Sequence, residues 1–132
     1  MPSEIDYRIH PSITSDELNT LFEAVWDAHI WVDLLPVLSH SLTYVAAYRR
    51  EMLIGFVNIA WDGGEHAFLL DTAVHRDYRR IGLGRGLVER AIAETRRRGP
   101  KWLHVDFEPH LEKFYREAGF RDTRAGLIRL KP

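Results

Sequence analysis

Cysteine is absent from the 132 residues of this sequence, which excludes disulfide bonds, thiolate nucleophiles and cysteine-based zinc sites. No apolar run approaches the roughly 20 residues that a membrane-spanning helix needs. The first ten residues, MPSEIDYRIH, lack the basic-then-apolar pattern of a secretory signal. From these absences we expect no membrane partner and, by default, a cytoplasmic location.

Charge is distributed unevenly, although the net charge is only −1. Residues 1–35 hold seven acids against one base, whereas residues 76–98 hold eight arginines against three acids. This asymmetry predicts a small anion-binding zone and a separate acidic half. The seven histidines show no metal-ligand spacing, so we expect no metal site. Arg96-Arg97-Arg98 ends a predicted helix without a basic aromatic face, so we expect no nucleic-acid partner.

The hydrophobic pattern predicts one α/β (α+β) domain over residues 1–132, with elements in the order β-α-(α)-β-β-β-α-β-α-β-β. Antiparallel hairpins come first and a β-α-β crossover follows, so the sheet should be mixed and flanked by helices. Thr14 and Glu17 match a capping box at the start of the first helix. The predicted strands are 4–9, 43–48, 52–61, 67–74, 102–107 and a pair within 120–130. The predicted helices are 15–28, a short one within 29–40, 85–98 and 109–118.

The most informative segment is a basic loop between the strand at 67–74 and the next helix, with glycines at 82, 84 and 86. A helix that begins after such a loop presents free backbone N–H groups and the positive end of its dipole, which together bind phosphate. A Walker loop would end in Gly-Lys-Ser/Thr, which Gly84-Arg85-Gly86 does not provide. A Rossmann fingerprint is disfavoured because residue 87 is Leu. A glycine-rich loop without a ligand is the remaining alternative.

Two motifs frame this part of the chain. Arg79-x-x-Gly82-x-Gly84 follows the strand-like residues 70–78, and Phe114-Tyr115-x-x-x-Gly119-Phe120 comes later. The first motif is similar to the Arg/Gln-x-x-Gly-x-Gly/Ala signature of the GNAT superfamily of acyl-CoA N-acyltransferases, and the second resembles that family's Phe-Tyr-x-x-x-Gly-Phe ending. The similarity covers residues 42–130 well and the first 40 only in outline. Glu108 and Leu111 depart from the Asn and Ala that the family often has there.

The resemblance implies a GNAT-like fold, in which a mixed, mostly antiparallel sheet opens into a V between two central parallel strands at 67–74 and 102–107. It also implies acetyl-CoA (CoA) as the cofactor. The pantetheine arm would pair with the backbone of Thr72, Ala73 and Val74. The backbone that would hold the pyrophosphate comprises Arg79, Arg80, Ile81, Gly82, Leu83, Gly84 and Arg85.

Tyr115 is the first candidate catalytic residue. It shares an apolar helix face with Leu111 and Phe114, so one interpretation is a core aromatic residue. The resemblance implies instead that its hydroxyl points at the cofactor sulfur and protonates the departing thiolate as a general acid.

Asp71 is the second candidate catalytic residue, because a carboxylate within a predicted strand is costly unless it is hydrogen-bonded or paired. By alternation it would share a face with Leu69 and Ala73. It is either a buried structural acid or the base that takes the amine proton, directly or through a water. Weaker candidates for the base are Glu65, Asp106 and Glu108.

The candidate acceptor site lies around the end of the first predicted helix, where aromatic, acidic and histidine side chains cluster at Trp26, Asp27, His29 and Trp31. Aromatic and acidic side chains together suit an ammonium-bearing acceptor through cation–π and charge contacts. The alternative interpretation places both tryptophans in the core and leaves Asp27 solvated.

The predicted function is transfer of an acetyl group from acetyl-CoA to a primary amine of a small molecule, peptide or protein, by direct attack in a ternary complex. A backbone N–H near Ala73 or Val74 would polarise the thioester carbonyl. The alternatives are a regulatory module that binds CoA without catalysis and a Rossmann-type nucleotide-binding protein. A homodimer is left open.

Overall fold

The computed structural model describes residues 4–132, and within this range five strands form one sheet in the order β1-β2-β3-β4-β5. The strands are β1 (Ile5–Ile9), β2 (Ser41–Arg49), β3 (Met52–Trp61), β4 (His66–Val74) and β5 (Trp102–His104). The helices are α1 (Ser15–Val25), α2 (Leu35–Ser39), α3 (Leu83–Arg98) and α4 (Glu112–Glu117). Neighbouring strands are antiparallel except β4 and β5, which are parallel. The predicted mixed sheet flanked by helices is therefore confirmed.

Local side-chain bonds fix two of the element boundaries. Thr14 caps α1 by accepting from the Glu17 N–H at 3.1 Å, while Glu17 Oε1 accepts from the Thr14 N–H at 3.0 Å, which confirms the capping box. In the turn between β3 and β4, Asp62 Oδ1 accepts from the N–H groups of Gly64 at 2.7 Å and His66 at 3.2 Å. Gly63 supplies the left-handed φ of +82° that this turn requires.

The sheet separates two hydrophobic cores. One lies under α3 and joins Leu87, Val88 and Ala91 to the inner residues of β2, β3 and β4. The other lies under α1 and joins Leu18, Leu21 and Phe22 to Tyr44 and Phe56. Each large side chain buried in this way contributes about 1.5–3 kcal/mol to folding. The paired cores hold β4 rigidly between α1 and α3.

A bulge in β4 corrects the predicted side-chain alternation. Phe56 pairs with Ala73 and Asn58 pairs with Leu70, so Asp71 and Thr72 together oppose the single residue Val57. The extra residue shifts the alternation by one position, which moves each following side chain to the opposite face. Leu69 therefore belongs to the core under α3 and Ala73 to the core under α1, not to one shared face.

The parallel pair separates soon after it forms. β5 pairs only with residues 66–68 of β4, and the chain then leaves the sheet toward the turn Pro109–Leu111. The predicted strand over 102–107 is thus three residues too long, because the pairing with β4 ends at Phe68 and His104. Residues 69–74 of β4 have no β5 partner within the described chain. This separation is the predicted V, although β5 lies at the edge of the sheet and not at its centre.

The predicted final strand pair within 120–130 is wrong, since residues 120–132 contain no strand. Leu127, Ile128 and Leu130 are more than 80% exposed, so no hydrophobic core stabilises a strand pair there. An isolated strand pair is only marginally stable without a sheet to join, and the three-residue β5 offers little edge.

The helix bounds differ from prediction by a few residues. α1 ends at Val25 instead of residue 28, α3 begins at Leu83 instead of Arg85, and α4 spans only Glu112–Glu117 after a 3₁₀ turn. Such shifts at helix ends are the usual uncertainty of a periodic pattern. Within residues 4–132, none of the helices has the length and apolar composition needed to cross a bilayer.

Candidate functional site

The N-terminus of α3 forms an anion-binding end. Gly82 caps the helix in a left-handed conformation with φ +83°, which glycine adopts without steric cost, and its carbonyl accepts from the Gly86 N–H at 3.0 Å. No side chain in the described part of the chain caps this helix. The N–H groups of Leu83, Gly84 and Arg85 can therefore bind an anion together with the positive end of the 16-residue helix.

The loop before Gly82 supplies positive charge. Arg79, Arg80 and Ile81 are exposed, and within residues 4–132 neither arginine forms an ion pair. Arg80 adopts a left-handed φ of +66°, which is uncommon for a residue with a Cβ. Arg85, in contrast, is paired with Glu89 at 2.8 Å. The structure thus brings together the residues that were predicted to hold the pyrophosphate. Arg79 and Arg80, which form no ion pair with a described residue, lie in the loop before Gly82.

Gly84 marks the meeting point of three elements. A Cβ placed on it would lie 3.5 Å from Val74 Cγ2 in β4 and 3.8 Å from Phe114 Cζ in α4. The loop motif, the strand predicted to hold pantetheine and the Phe-Tyr motif are therefore adjacent in space. A Cβ placed on Gly82, in contrast, would meet no atom within 4 Å, so space remains in front of the helix end.

Tyr115 is buried in an aromatic cluster. Its ring stacks on Phe107 at 5.0 Å and contacts Phe114 and Phe120 edge-on at 4.9 and 5.8 Å. The residue is 6% exposed, but its hydroxyl is not among the buried, unpaired polar atoms of the described chain. No described residue hydrogen-bonds to this hydroxyl, so it remains available to a ligand.

Asp71 lies in the β4 bulge with a φ of +57°, a strained conformation for a residue other than glycine. Asp71 is exposed by its accessible surface, yet partial desolvation of its carboxyl raises the pKa above the ordinary value, and no described residue pairs with it. A strained backbone and an unpaired carboxyl with a raised pKa are typical of functional positions. The role of Asp71 as the base stays a prediction.

Thr72 carries an observation that bears directly on the predicted cofactor. Its hydroxyl is buried without a hydrogen-bond partner, as is that of Thr43 in β2. Buried polar atoms are nearly always bonded, so an orphan in the strand predicted to hold pantetheine indicates a missing partner. The amide groups of a pantetheine arm are such hydrogen-bond partners. The Thr72 hydroxyl in β4 therefore fits a CoA ligand. The sequence predicted a cofactor contact only for the backbone of Thr72, because the bulge that orients the side chain has no sequence signature.

The candidate acceptor residues lie beyond the end of α1. Trp26 and His29 pack on Phe22, with ring centroids 4.8 and 5.5 Å apart. His29 Nε2 bonds Asn19 Oδ1 at 2.8 Å, and Trp31 Nε1 donates to Glu23 at 2.7 Å.

The solvent exposure of the four candidate acceptor residues agrees fully with neither of the two interpretations, an acceptor site or core tryptophans with a solvated Asp27. Both tryptophans are more than one-third exposed, which contradicts the core interpretation. Asp27 is solvated and only 3.6 Å from the Arg76 guanidinium after β4. No described ring contact or hydrogen bond joins these four residues to Tyr115. Among residues 4–132, no three histidine or acidic side chains form a metal-binding cluster.

An uncapped helix N-terminus beside a strand that has lost its parallel neighbour is the geometry of a site for an extended, phosphate-bearing ligand. The sequence model of the acetyltransferase (GNAT) family matches residues 7–120, and the chain belongs to this family.

Among curated relatives, an uncharacterized N-acetyltransferase, ycf52 of Porphyra purpurea, is 28% identical over 79% of this chain and 63% of its own length. The chloroplastic GCN5-related N-acetyltransferase 1 of Arabidopsis thaliana is 27% identical over 91% of this chain and 62% of its own. The chain thus spans less than two thirds of the length of these relatives.

Solved structures share the fold. A putative acetyltransferase from Deinococcus radiodurans superposes with a TM-score of 0.80 at 24% identity, covering 97% of this chain and 90% of its own. The GNAT family protein SP0256 from Streptococcus pneumoniae gives a TM-score of 0.78 at 23% identity, covering 96% and 99%. At these identities the likeness establishes the fold alone.

Proposed function

We propose that this chain, taken as one domain over residues 1–132, transfers the acetyl group of acetyl-CoA directly to a primary amine. Its first three residues lie outside the described range. The observation that carries the proposal is the uncapped N-terminus of α3, one basic loop after a strand that has separated from its parallel neighbour. The pyrophosphate would bind the N–H groups after Gly82, and the pantetheine arm would follow residues 72–74.

The chain's own residues would complete the reaction. Acetyl-CoA supplies the thioester; the amine nitrogen bonds to the acetyl carbon as the carbon–sulfur bond breaks. Asp71 accepts the proton that the amine loses, and Tyr115 donates its hydroxyl proton to the departing thiolate. A backbone N–H near Ala73 or Val74 stabilises the oxyanion that develops on the carbonyl. This sequence of steps requires neither a metal ion nor a covalent enzyme intermediate.

Gly82→Val is expected to lower CoA affinity by about tenfold or more, since the new side chain would occupy the space in front of α3 and strain the loop. Gly63 provides a matched control, because its φ of +82° is nearly the same and its Cβ would also meet nothing within 4 Å. Gly63→Val should lose similar stability through backbone strain but keep its CoA affinity. Calorimetry with CoA and thermal unfolding of both variants measure the two effects. Equal CoA affinity in folded Gly82→Val and wild type would contradict this placement of the pyrophosphate.

Thr72→Val is expected to lower CoA affinity about three- to tenfold, the usual contribution of one hydrogen bond. It should not destabilise the apo protein, because a buried hydroxyl without a partner is replaced by a methyl group. Thr43→Val removes the other orphan hydroxyl and should leave CoA affinity unchanged. If both variants bind CoA like wild type, Thr72 does not contact the pantetheine arm.

The activity itself is tested by measuring thiol release from acetyl-CoA with a panel of primary amines and peptides. A non-catalytic CoA-binding module would bind CoA by calorimetry and release no thiol with any acceptor. A Rossmann-type protein would bind NAD in preference to CoA. Release of one thiol for each acetylated amine is the expected outcome.

The acceptor, the location and the assembly are the remaining parts of the proposal. Solved neighbours of the fold include aminoglycoside N-acetyltransferases and a glucosamine-6-phosphate N-acetyltransferase, which supports an amine acceptor here. We retain a small-molecule or peptide amine as the acceptor. The cytoplasmic location stays a prediction, and the Arabidopsis relative is named chloroplastic. A homodimer also stays a prediction, which sedimentation would test.

A further inference from the structure

Two exposed apolar residues of β4 lie on the face of the sheet that α1 covers only in part. Phe56 packs in the core under α1, and Asn58 and Ala60 follow it at two-residue steps on the same face. Their partners across the ladder are Leu70 and Phe68. Leu70 and Phe68 therefore share this face, yet they remain 38% and 37% exposed.

β5 extends the same surface. His66 pairs with Trp102 and Phe68 pairs with His104, so all four side chains share this face. Phe68 stacks on the His104 ring with centroids 4.7 Å apart and planes inclined by 22°, and His66 Nδ1 lies 2.8 Å from His104 Nε2. We call this surface the aromatic floor. Its residues are His66, Phe68, Leu70, Trp102 and His104.

The size of the aromatic floor selects the kind of occupant. Four residue steps along β4 span about 13 Å, and neighbouring strands lie about 4.8 Å apart. Two strand widths over this length offer on the order of 100 Å², whereas a stable protein interface needs about 800 Å² from each partner. A flat group of one or two rings matches this area, and a second copy of the chain does not.

The position of the aromatic floor and the charges around it indicate which functional group the bound ring carries. The floor ends at Leu70, the residue before Asp71, at the point where β4 has lost its β5 neighbour. The bond between His66 and His104 requires at least one neutral ring, so the pair does not present two positive charges. Arg121 reaches only the far end of the floor, 5.7 Å from the Trp102 ring. An amine with its nitrogen toward Asp71 would place an apolar end on the floor.

We propose that the aromatic floor is the acceptor subsite and holds the ring of a small aryl-alkyl amine, with the amine nitrogen directed toward Asp71. This inference rests on the proposed acetyl transfer and specifies its substrate class. It assigns the ring of the acceptor to β4 and β5, and not to the tryptophans that follow α1.

The test compares 2-phenylethylamine with n-butylamine as acceptors at saturating acetyl-CoA. Wild type should show a kcat/KM at least about tenfold higher for the aryl amine, and Phe68→Ala should remove most of that preference through a higher KM. Trp61→Ala is the matched control, because Trp61 is 39% exposed but pairs with Ala67 on the opposite face. This control should keep the preference, and both variants should bind CoA like wild type in calorimetry.

The contrary outcomes separate the two proposals. If wild type binds CoA and acetylates amines without an aryl preference, or if Phe68→Ala keeps that preference, the floor is not the acceptor subsite and the acetyl transfer stands. If wild type is dimeric in sedimentation and Phe68→Ala is monomeric, the floor is an interface between copies. If wild type does not bind CoA, the proposed function fails and the acceptor subsite fails with it.

Discussion

Tyr115→Phe is expected to lower kcat by about a hundred- to ten-thousand-fold, the range that a general acid contributes. The substitution keeps the ring that stacks on Phe107 and contacts Phe114 and Phe120. The hydroxyl has no hydrogen-bond partner within residues 4–132, so its removal should change neither the free energy of unfolding nor CoA affinity appreciably. Steady-state kinetics with acetyl-CoA and a good amine acceptor, together with CoA calorimetry, measure these quantities.

Tyr44→Phe is the matched control for this experiment. Tyr44 is also 6% exposed, but it lies in the core under α1 and its hydroxyl donates to the Pro11 carbonyl at 2.6 Å. Its loss should cost about 1 kcal/mol of stability and leave kcat unchanged. A kcat of Tyr115→Phe within about threefold of wild type, which is under 1 kcal/mol of barrier, would remove Tyr115 from the mechanism. If CoA affinity fell together with kcat in Tyr115→Phe, Tyr115 would instead contribute to cofactor binding.

Asp71→Asn is expected to lower kcat by about a hundredfold or more, because an amide cannot accept the amine proton. The fold should survive, since asparagine tolerates the left-handed φ of +57° better than most residues. The acidic limb of the wild-type pH–rate profile should disappear in the variant. Asp106→Asn and Glu108→Gln alter exposed acids that are weaker candidates, and they should retain that limb.

Although Asp71→Asn should lower kcat, it should not lower the stability of the folded protein. Burial raises the pKa of the Asp71 carboxyl in the folded protein, so the folded state binds its proton more tightly than the unfolded state does. The resulting stability is present below the ordinary pKa of 3.8 and is lost as pH rises through the raised folded pKa. Near pH 7 asparagine replaces a desolvated charge, so the free energy of unfolding should equal or exceed that of wild type. Denaturant unfolding at pH 7 that shows a clear loss would indicate a structural acid.

Local patterns in the sequence were sufficient for much of the fold, whereas the roles of the site residues stay predictions. The capping box of Thr14 and Glu17 depends on neighbours within a few residues, and it was predicted correctly. The loop before Gly82 belongs to the same class, because a glycine cap and a helix N-terminus are consecutive in the chain.

Features that depend on distant strands were not predictable in the same way. The bulge at Asp71 and Thr72 exists only relative to Val57 in β3, so alternation along β4 placed Ala73 on the wrong face. The strand pair expected within 120–130 had a suitable pattern, but the three-residue β5 offers only a short edge for it to join. The aromatic floor combines alternate residues of β4 and β5 that are more than 30 positions apart in the sequence.

The sequence by itself determined the family and the order of the elements as far as α4, because these follow from residue spacing and local backbone chemistry. Only the tertiary structure decided which groups meet. It placed Gly84 beside Val74 and Phe114, left the hydroxyls of Thr72 and Tyr115 without described partners, and put an unpaired carboxyl in a strained bulge. The physical reason is that pairing register and side-chain burial are set by contacts between distant segments, which no local pattern encodes.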